Sequence, residues 1–544
     1  MPTHPSAAVD TPATAGVARH DEHDFRLPRS FWRGRLLRLT GLLLVAVLLL
    51  RLGVGRHLAN RTRAADAAAR ARGEPTSLAE VALPTVPNAD NAWVAQMAAA
   101  ALAVPGVDSP RTSNLVYSEA PPYGPNWTAL ASGSERAHGP LFAAARQARA
   151  LPRAAVRSQL NLTALLGLTP GWNQSRNLAN LLADGATWAH LQGDDAEAVE
   201  RLRDALYVGR SLRQDPTLIS QLVGMGVEAL TCHGTMVIAP GLRPGAADPG
   251  SSAARAGVRG LIAELLDESA ARAGLPAALT VERLAGAEQV RAEGEKTWAI
   301  RPLAEAEVTR ATTNGTLAAD AARAASWPNA QAVLRREAYE PVPSGGSPGG
   351  GGGRAAPPEV PRYSRWFQTS GRSLARSVKL QFRGLGERRM AATSLAAQLY
   401  RADHGRWPDR LQDLVPDYLP AVPADPFAAD GRPLGYVVKS SALPGGADRP
   451  LVYYEEGPQD TDPNPQGETP FWDEPKYSWY GGLVGGRRNE AVRQYRDLTR
   501  FRLPGVPAVD DASGMTTPPT LAPAGPATPA SGPASAPAAT AEPR

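Results

Sequence analysis

The chain is poor in the residues that build covalent and metal chemistry. Cys232 is its only cysteine, so it forms no intrachain disulfide and assembles no CxxC zinc or iron–sulfur site by itself. Histidine occurs eight times. Only His20 and His23 are close together, in an N-terminal stretch without apolar period. HExxH and GxxxxGK[ST] patterns are absent, which removes the zincin and phosphate-loop readings. A GxSxG match at Gly345 to Gly349 lies in a Gly-rich run with no strand before it, unlike a nucleophile elbow. Charge of one sign is also missing. The net charge is +5 over 544 residues, and the arginines interleave with Asp and Glu, so no basic patch calls for nucleic acid.

Glycine and proline, 52 and 51 residues, are abundant and cluster at linkers and tails. The length suits two or three domains, and the preference for Arg and Ala points to a GC-rich bacterial genome. Residues 1–30 are Pro-, Ala- and Thr-rich and read as a disordered cytoplasmic tail. Arg26, Arg29, Phe31, Trp32, Arg33, Arg35 and Arg38 then lead into LTGLLLVAVLLL. Its uncharged core, Leu39 to Leu50, has the length of a signal-peptide core. Counting residues 36–54, with Arg38 and Arg51 snorkelling, makes a helix of about 28 Å, enough to span a bilayer. A retained signal anchor is the favoured reading, and a cleaved signal peptide is the alternative. The basic cluster before the span places the N-terminus in the cytoplasm and the bulk of the chain in the periplasm.

Residues 60–340 carry helical periods and almost no alternating pattern. Helices are expected over Ala59 to Arg72, Asn91 to Val104, Asn177 to Leu191, from Asp194 or Asp195 to Asp215, and from Leu218 past Leu230. Others are expected at Ala253 to Ala273, Ala277 to Ala299 and Ala304 to Ala325. A long loop is expected over 105–135. Gly193 and the Asp-Pro pair at 215–216 mark the turns; the small Gly209 shares a face with Val199, Leu202 and Leu206, while Gly224 and Gly226 offer close helix approach. One hairpin here resembles a tetratricopeptide unit, but no copy recurs at a 34-residue period. Candidate chemistry is sparse. Cys232 and His233 are adjacent, so on a helix they diverge by about 100°; a packing cysteine and a partly exposed histidine are expected. Glu264, Asp267 and Glu268 share a face. Glu135 and His138 form one Glu-x-x-His pair, where a di-iron bundle needs two.

Residues 341–361 form a Gly/Pro linker. Beyond it, Leu374, Val378, Phe382, Leu385, Ala392, Leu395 and Leu399 mark one face of a long helix, with Gly384 and Gly386 loosening its middle. Gly405 should end that helix. Asp409 and Gln412 are spaced as a capping box, and Leu411, Leu414, Val415, Tyr418 and Leu419 line one face of a short helix. Leu434 to Val438 and Pro450 to Tyr454 are expected to pair as a hairpin. Residues 505–544 read as a disordered Pro/Ala tail.

The run YRADHGRWPDRLQDLVPDYLPAVPADPF, followed by GRPLGYVV and LVYYEEG, resembles the globular part of type II secretion major pseudopilins. Tyr400, Asp403, Gly405, Trp407, Pro408, Leu414, Pro423, Asp425 and Pro426 carry the likeness. It implies a small α+β module over 362–500. The whole chain would then be mainly α: a transmembrane helix, an irregular helical-hairpin or bundle domain, and this module. Two departures exclude ordinary pseudopilus assembly. The apolar helix lies more than 300 residues upstream, and the helix entering the module carries Arg372, Arg376, Lys379, Arg383, Arg388 and Arg389. The combination of anchor, helical middle and module also resembles a group of uncharacterised bacterial membrane-anchored proteins. The pseudopilin likeness further implies a calcium loop, for which Asp460, Asp462, Glu468 and Asp473 supply oxygen ligands; a solvated acidic loop is the alternative. The expected role is non-enzymatic interaction or scaffolding at the inner membrane with an unidentified envelope protein, beside secretion or pilus-like machinery. An envelope hydrolase using paired carboxylates and a helical-repeat peptide-binding adaptor are the competing readings.

Overall fold

The computed structural model describes residues 29–113, 115, 123–166, 171–245, 249–295, 301–334, 362–439 and 449–454. These residues are mostly helical, as the periods predict. The helices are α1 (Arg29–Ala71), α2 (Ala92–Ala100), α3 (Pro125–Arg149), α4 (Leu162–Leu166), α5 (Trp172–Leu191) and α6 (Asp195–Leu212). They continue with α7 (Leu218–Ile238), α8 (Pro249–Leu266), α9 (Ser269–Glu295), α10 (Arg301–Ala322), α11 (Trp327–Leu334) and α12 (Arg362–His404). Strands β1 (Gly435–Lys439) and β2 (Arg449–Tyr453) pair antiparallel, with Val437 opposite Leu451.

Local chemistry sets most ends. The Asn91 side chain accepts from the Trp93 amide and caps α2. Asp194, not Asp195, caps α6, accepting from the Glu197 amide at 3.0 Å. Gly405, at φ +69°, takes the left-handed position that closes α12. Two boundaries differ from expectation. The loop expected to reach 135 ends at Gly124, because Pro125 is accommodated at the first turn of α3, and Trp127 is buried within that helix. The break expected near residue 274 falls instead at Asp267–Glu268, and Pro276 lies inside α9.

That shift has a cause in α12. The Arg388 guanidinium is buried and donates to three backbone carbonyls at the end of α8: Glu264 at 2.8 Å, Leu265 at 3.0 Å and Asp267 at 2.7 Å. These are carbonyls that a helix end leaves without intrahelical partners. Arg388 also pairs with buried Glu228 of α7 at 3.1 Å. On the other side of the break, Asp267 accepts from the amide and hydroxyl of Ser269 and so starts α9.

The core lies around α7 and α12. One apolar cluster runs from α5 and α6 through α7, α8, α9, α10 and α11 to α12 and the β1–β2 hairpin. A second joins α2, α3, α5, α6 and α7. From Met390 to Leu399 nearly every α12 side chain is buried, so this helix is enclosed by neighbours on all sides. It does not stand apart from the helical body. Leu395 or Phe382 alone contributes about 1.5–3 kcal/mol by its burial. Polar ties join the same parts. Gln398 donates to the Leu242 carbonyl at 2.6 Å, and the Arg389 guanidinium grips Glu268 at 2.6 and 2.9 Å while donating to the Ala424 carbonyl at 2.7 Å. Gly386 does not loosen α12; a Cβ there would meet the Tyr454 ring at 2.8 Å, so its absence seats the hairpin against the helix.

Candidate functional site

The residues singled out for chemistry are held by structural partners. Glu135 pairs with Arg201 at 2.6 Å, and that guanidinium also donates to the Gly185 carbonyl and lies 4.3 Å from the Phe142 ring centre. His138 accepts from the Val104 amide through Nε2 at 3.2 Å, which leaves its Nδ1 to donate to the Ser134 carbonyl at 2.9 Å. The pair is not convergent. Glu264 pairs with Arg203, Asp267 with Arg210 and Glu268 with Arg389; the shared face is a row of ion pairs between helices.

Cys232 and His233 are both buried, which corrects the expected exposure of the histidine. Burial raises the Cys232 thiol well above its ordinary value, so it is an unreactive packing group. Burial, with the Arg111 charge adding to it, pushes His233 down to about 3. His233 is neutral at neutral pH. Nearby, Asp184 accepts from the Arg111 amide at 2.9 Å and meets its guanidinium at 3.1 Å. Asp460, Asp462, Glu468 and Asp473 lie outside the described residues. Among those described, no group of three or more His, Cys, Asp or Glu is arranged to hold a metal ion.

The resemblance-bearing turn is a mechanical corner. Asp403 receives both terminal nitrogens of Arg255 at 2.8 and 2.7 Å, and the Tyr418 hydroxyl at 2.7 Å. Hydrogen bonding from Arg255 holds its carboxyl below the usual value. Tyr400 stacks on His404 at 4.0 Å and meets Tyr418 edge-on at 5.7 Å. The capping pair expected at Asp409 and Gln412 is replaced. The Asp413 carboxylate accepts from the Asp409 and Arg410 amides, both at 3.1 Å, and starts a 3-10 turn at Leu411–Leu414. The turn begins one residue later than the spacing implied, which brings Asp413 under those amides. Asp425 accepts from the Phe427 amide at 2.7 Å, placing Phe427 against Tyr454 with ring centres 5.1 Å apart.

Two surfaces remain as candidates for function. The first is α1. Leu36 to Leu50 are exposed along every face, and none of the apolar window is buried. The same helix continues beyond Val54, and there its other half packs on the body. Thr62 meets Thr309 of α10 at 2.9 Å, and Ala69 is fully buried. By length and composition α1 can cross a membrane. The apolar α7 passes the same test, but 72% of its window is buried, so it is a core helix. The second surface is a groove of about 730 Å³ between the end of α1, the segment after it, and α9 and α10. Its floor includes Pro216, Pro276 and Val281, and its rim carries Arg72, Glu74 and Arg323. Burial works against ionisation of Glu74, yet Arg72 at 3.0 Å, Arg323 and Arg283 hold its carboxyl below the ordinary value. Sequence reasoning missed this groove, because its walls come from residues more than 200 positions apart. Comparison of the chain with protein-family models, with curated proteins and with solved structures finds no match.

Proposed function

We propose that this chain is a single-pass, membrane-anchored interaction or scaffolding protein. Its N-terminus lies in the cytoplasm and its helical body at the periplasmic face of a bacterial inner membrane. The observation that carries this reading is the continuity of α1: one helix is bare and apolar for its first half and packed into the body for its second. An anchor of this kind fixes the height and tilt of what it carries, which suits presentation of a surface to a neighbour. The groove is the surface proposed for that contact. Pro and Val on its floor and paired charges at its rim match an extended peptide with apolar side chains, and this favours an adaptor role within the same reading. Photo-crosslinking in intact envelopes tests it. Crosslinkers at the exposed groove residues Ala82 and Ala273 should trap a discrete adduct that a crosslinker at exposed Ala263 on α8 does not. Equal labelling from both faces, or none, would sink it.

The likeness of the sequence at 400–457 to the pseudopilin globular part supports placement beside secretion or pilus-like machinery. Calcium binding by Asp460, Asp462, Glu468 and Asp473 is proposed on that likeness alone. It requires the melting temperature of the full chain to fall when chelator replaces millimolar calcium, and an unmoved midpoint removes it.

A further inference from the structure

The helix that leaves the apolar span is basic on its bare side. Arg56, Arg61 and Arg63 follow Val54, and all three are exposed. At 1.5 Å per residue their Cα atoms stand ~3, ~10 and ~14 Å beyond the span. Side chains on a helix lean toward its N-terminus, here toward the bilayer. Arg63 does so: its guanidinium donates to Asn60 Oδ1 at 2.6 Å and to the Ala59 carbonyl at 3.3 Å. The three charges therefore reach back into the headgroup layer, which adds ~5–8 Å on each side of the hydrocarbon.

Two acidic groups nearby are engaged by other arginines. No Asp or Glu lies on α1 between Gly55 and Ala65. Asp66 faces Arg291 of α9 at 3.8 Å, and Glu307 of α10 pairs with Arg310. The body holds this stretch at a fixed height. α1 and α10 run side by side in the same direction, with Thr62 against Thr309 and, further on, Glu74 at 3.6 Å from Arg323. Eight residues before these contacts, ~12 Å back along each helix, lie Val54 on α1 and Arg301, where α10 begins. The start of α10 and the end of the apolar span thus share one level, so an α1 that spans the bilayer sets the body directly at the membrane surface.

We propose that Arg56, Arg61 and Arg63 form a collar that selects anionic phospholipid headgroups through guanidinium–phosphate contacts. The inference rests on α1 spanning the bilayer. It holds for either orientation of the chain.

The test uses the full-length protein reconstituted in phosphatidylcholine vesicles containing spin-labelled phosphatidylglycerol or spin-labelled phosphatidylcholine. The fraction of each label that the protein immobilises is measured. A basic residue at the surface favours anionic lipid by about fivefold, so the wild type should retain phosphatidylglycerol several-fold over phosphatidylcholine at low salt. The preference should weaken at 0.5 M salt. In the triple variant Arg56→Gln, Arg61→Gln, Arg63→Gln, whose changes lie on the exposed face, it should drop at least threefold with an unchanged melting temperature. Arg35 before the span, and Arg38 and Arg51 near its two ends, are common to both proteins, so the difference isolates the collar. Equal preference in wild type and variant overturns the inference and leaves the anchor standing. No immobilised lipid in either protein overturns the anchor, and the collar with it.

Discussion

Arg388 does the work of a whole capping motif. Three carbonyls ending α8 and the buried Glu228 carboxylate converge on one guanidinium. Arg213, also buried, donates to the Ala271 carbonyl at 3.1 Å on the other side of the same break. Removing one partner of such a buried pair costs about 3–5 kcal/mol. Arg388→Ala should lower unfolding stability by that amount in urea titrations. Arg388→Lys should recover less than half, because an ammonium cannot span several acceptors in a plane. A loss below about 1 kcal/mol for the alanine variant would mean that α8 ends without this cap. The arginines of this helix do not keep it out of the body: the Arg388 guanidinium is buried where helix-end carbonyls and a carboxylate supply its acceptors.

At the scale of elements, α6 and α7 approach through two glycines. A Cβ at Gly209 would meet the Gly224 carbonyl at 3.2 Å and Glu228 Cγ at 2.9 Å. One at Gly224 would meet the Gly209 carbonyl at 3.1 Å and Arg213 Cδ at 3.0 Å. Backbone opposes backbone, so neither helix yields without separating from the other. Overpacking of this kind costs about 1–3 kcal/mol. Gly226, two residues on, has nothing within 4 Å of its Cβ position. Gly209→Ala and Gly224→Ala should therefore lower the urea midpoint. Gly226→Ala should raise stability by up to about 1 kcal/mol, since alanine is the better helix former. Three variants moving together in one direction would contradict the packing described. The spacing marks Gly224 for close approach and puts Gly209 on the apolar face of its helix, and these two are where the helices meet. It marks Gly226 equally, because spacing alone does not say which of two neighbouring glycines faces the partner.

For the whole molecule, the decisive relation is between the bare, apolar half of α1 and the body. Residues 36–54 make no buried contact, while Leu58, Thr62 and Ala69 of the same helix lie against the body or within it. A chain beginning at residue 55 should keep its fold and move to the soluble fraction after alkaline extraction, while the full chain stays in the membrane pellet. Retention of the shortened chain in the pellet would place the membrane contact elsewhere. Orientation can be read in sealed spheroplasts. Cys232 is buried and contributes little background labelling. On the proposed topology an impermeant maleimide should reach Ala402→Cys and miss Ala13→Cys, and the reverse pattern would invert it.

Helical class, the apolar span and several turns were legible from residues alone, because each rests on contacts a few positions apart. The Leu-rich run is apolar on every face, Gly405 stops a helix by its own backbone freedom, and Asp194 caps the helix it precedes. The strand pair was legible within a residue for the same reason. What tertiary structure decided depends on distant partners. The end of α8 is held by Arg388, more than 120 residues later. His233 is buried because helices close over it. The part after the Gly-rich stretch shares one core with the helices before it. Composition at 341–361 signals a joint in the chain, but it carries no information on whether the two sides pack together. That is settled by the apolar faces of α7 and α12, and their fit cannot be read from either helix alone.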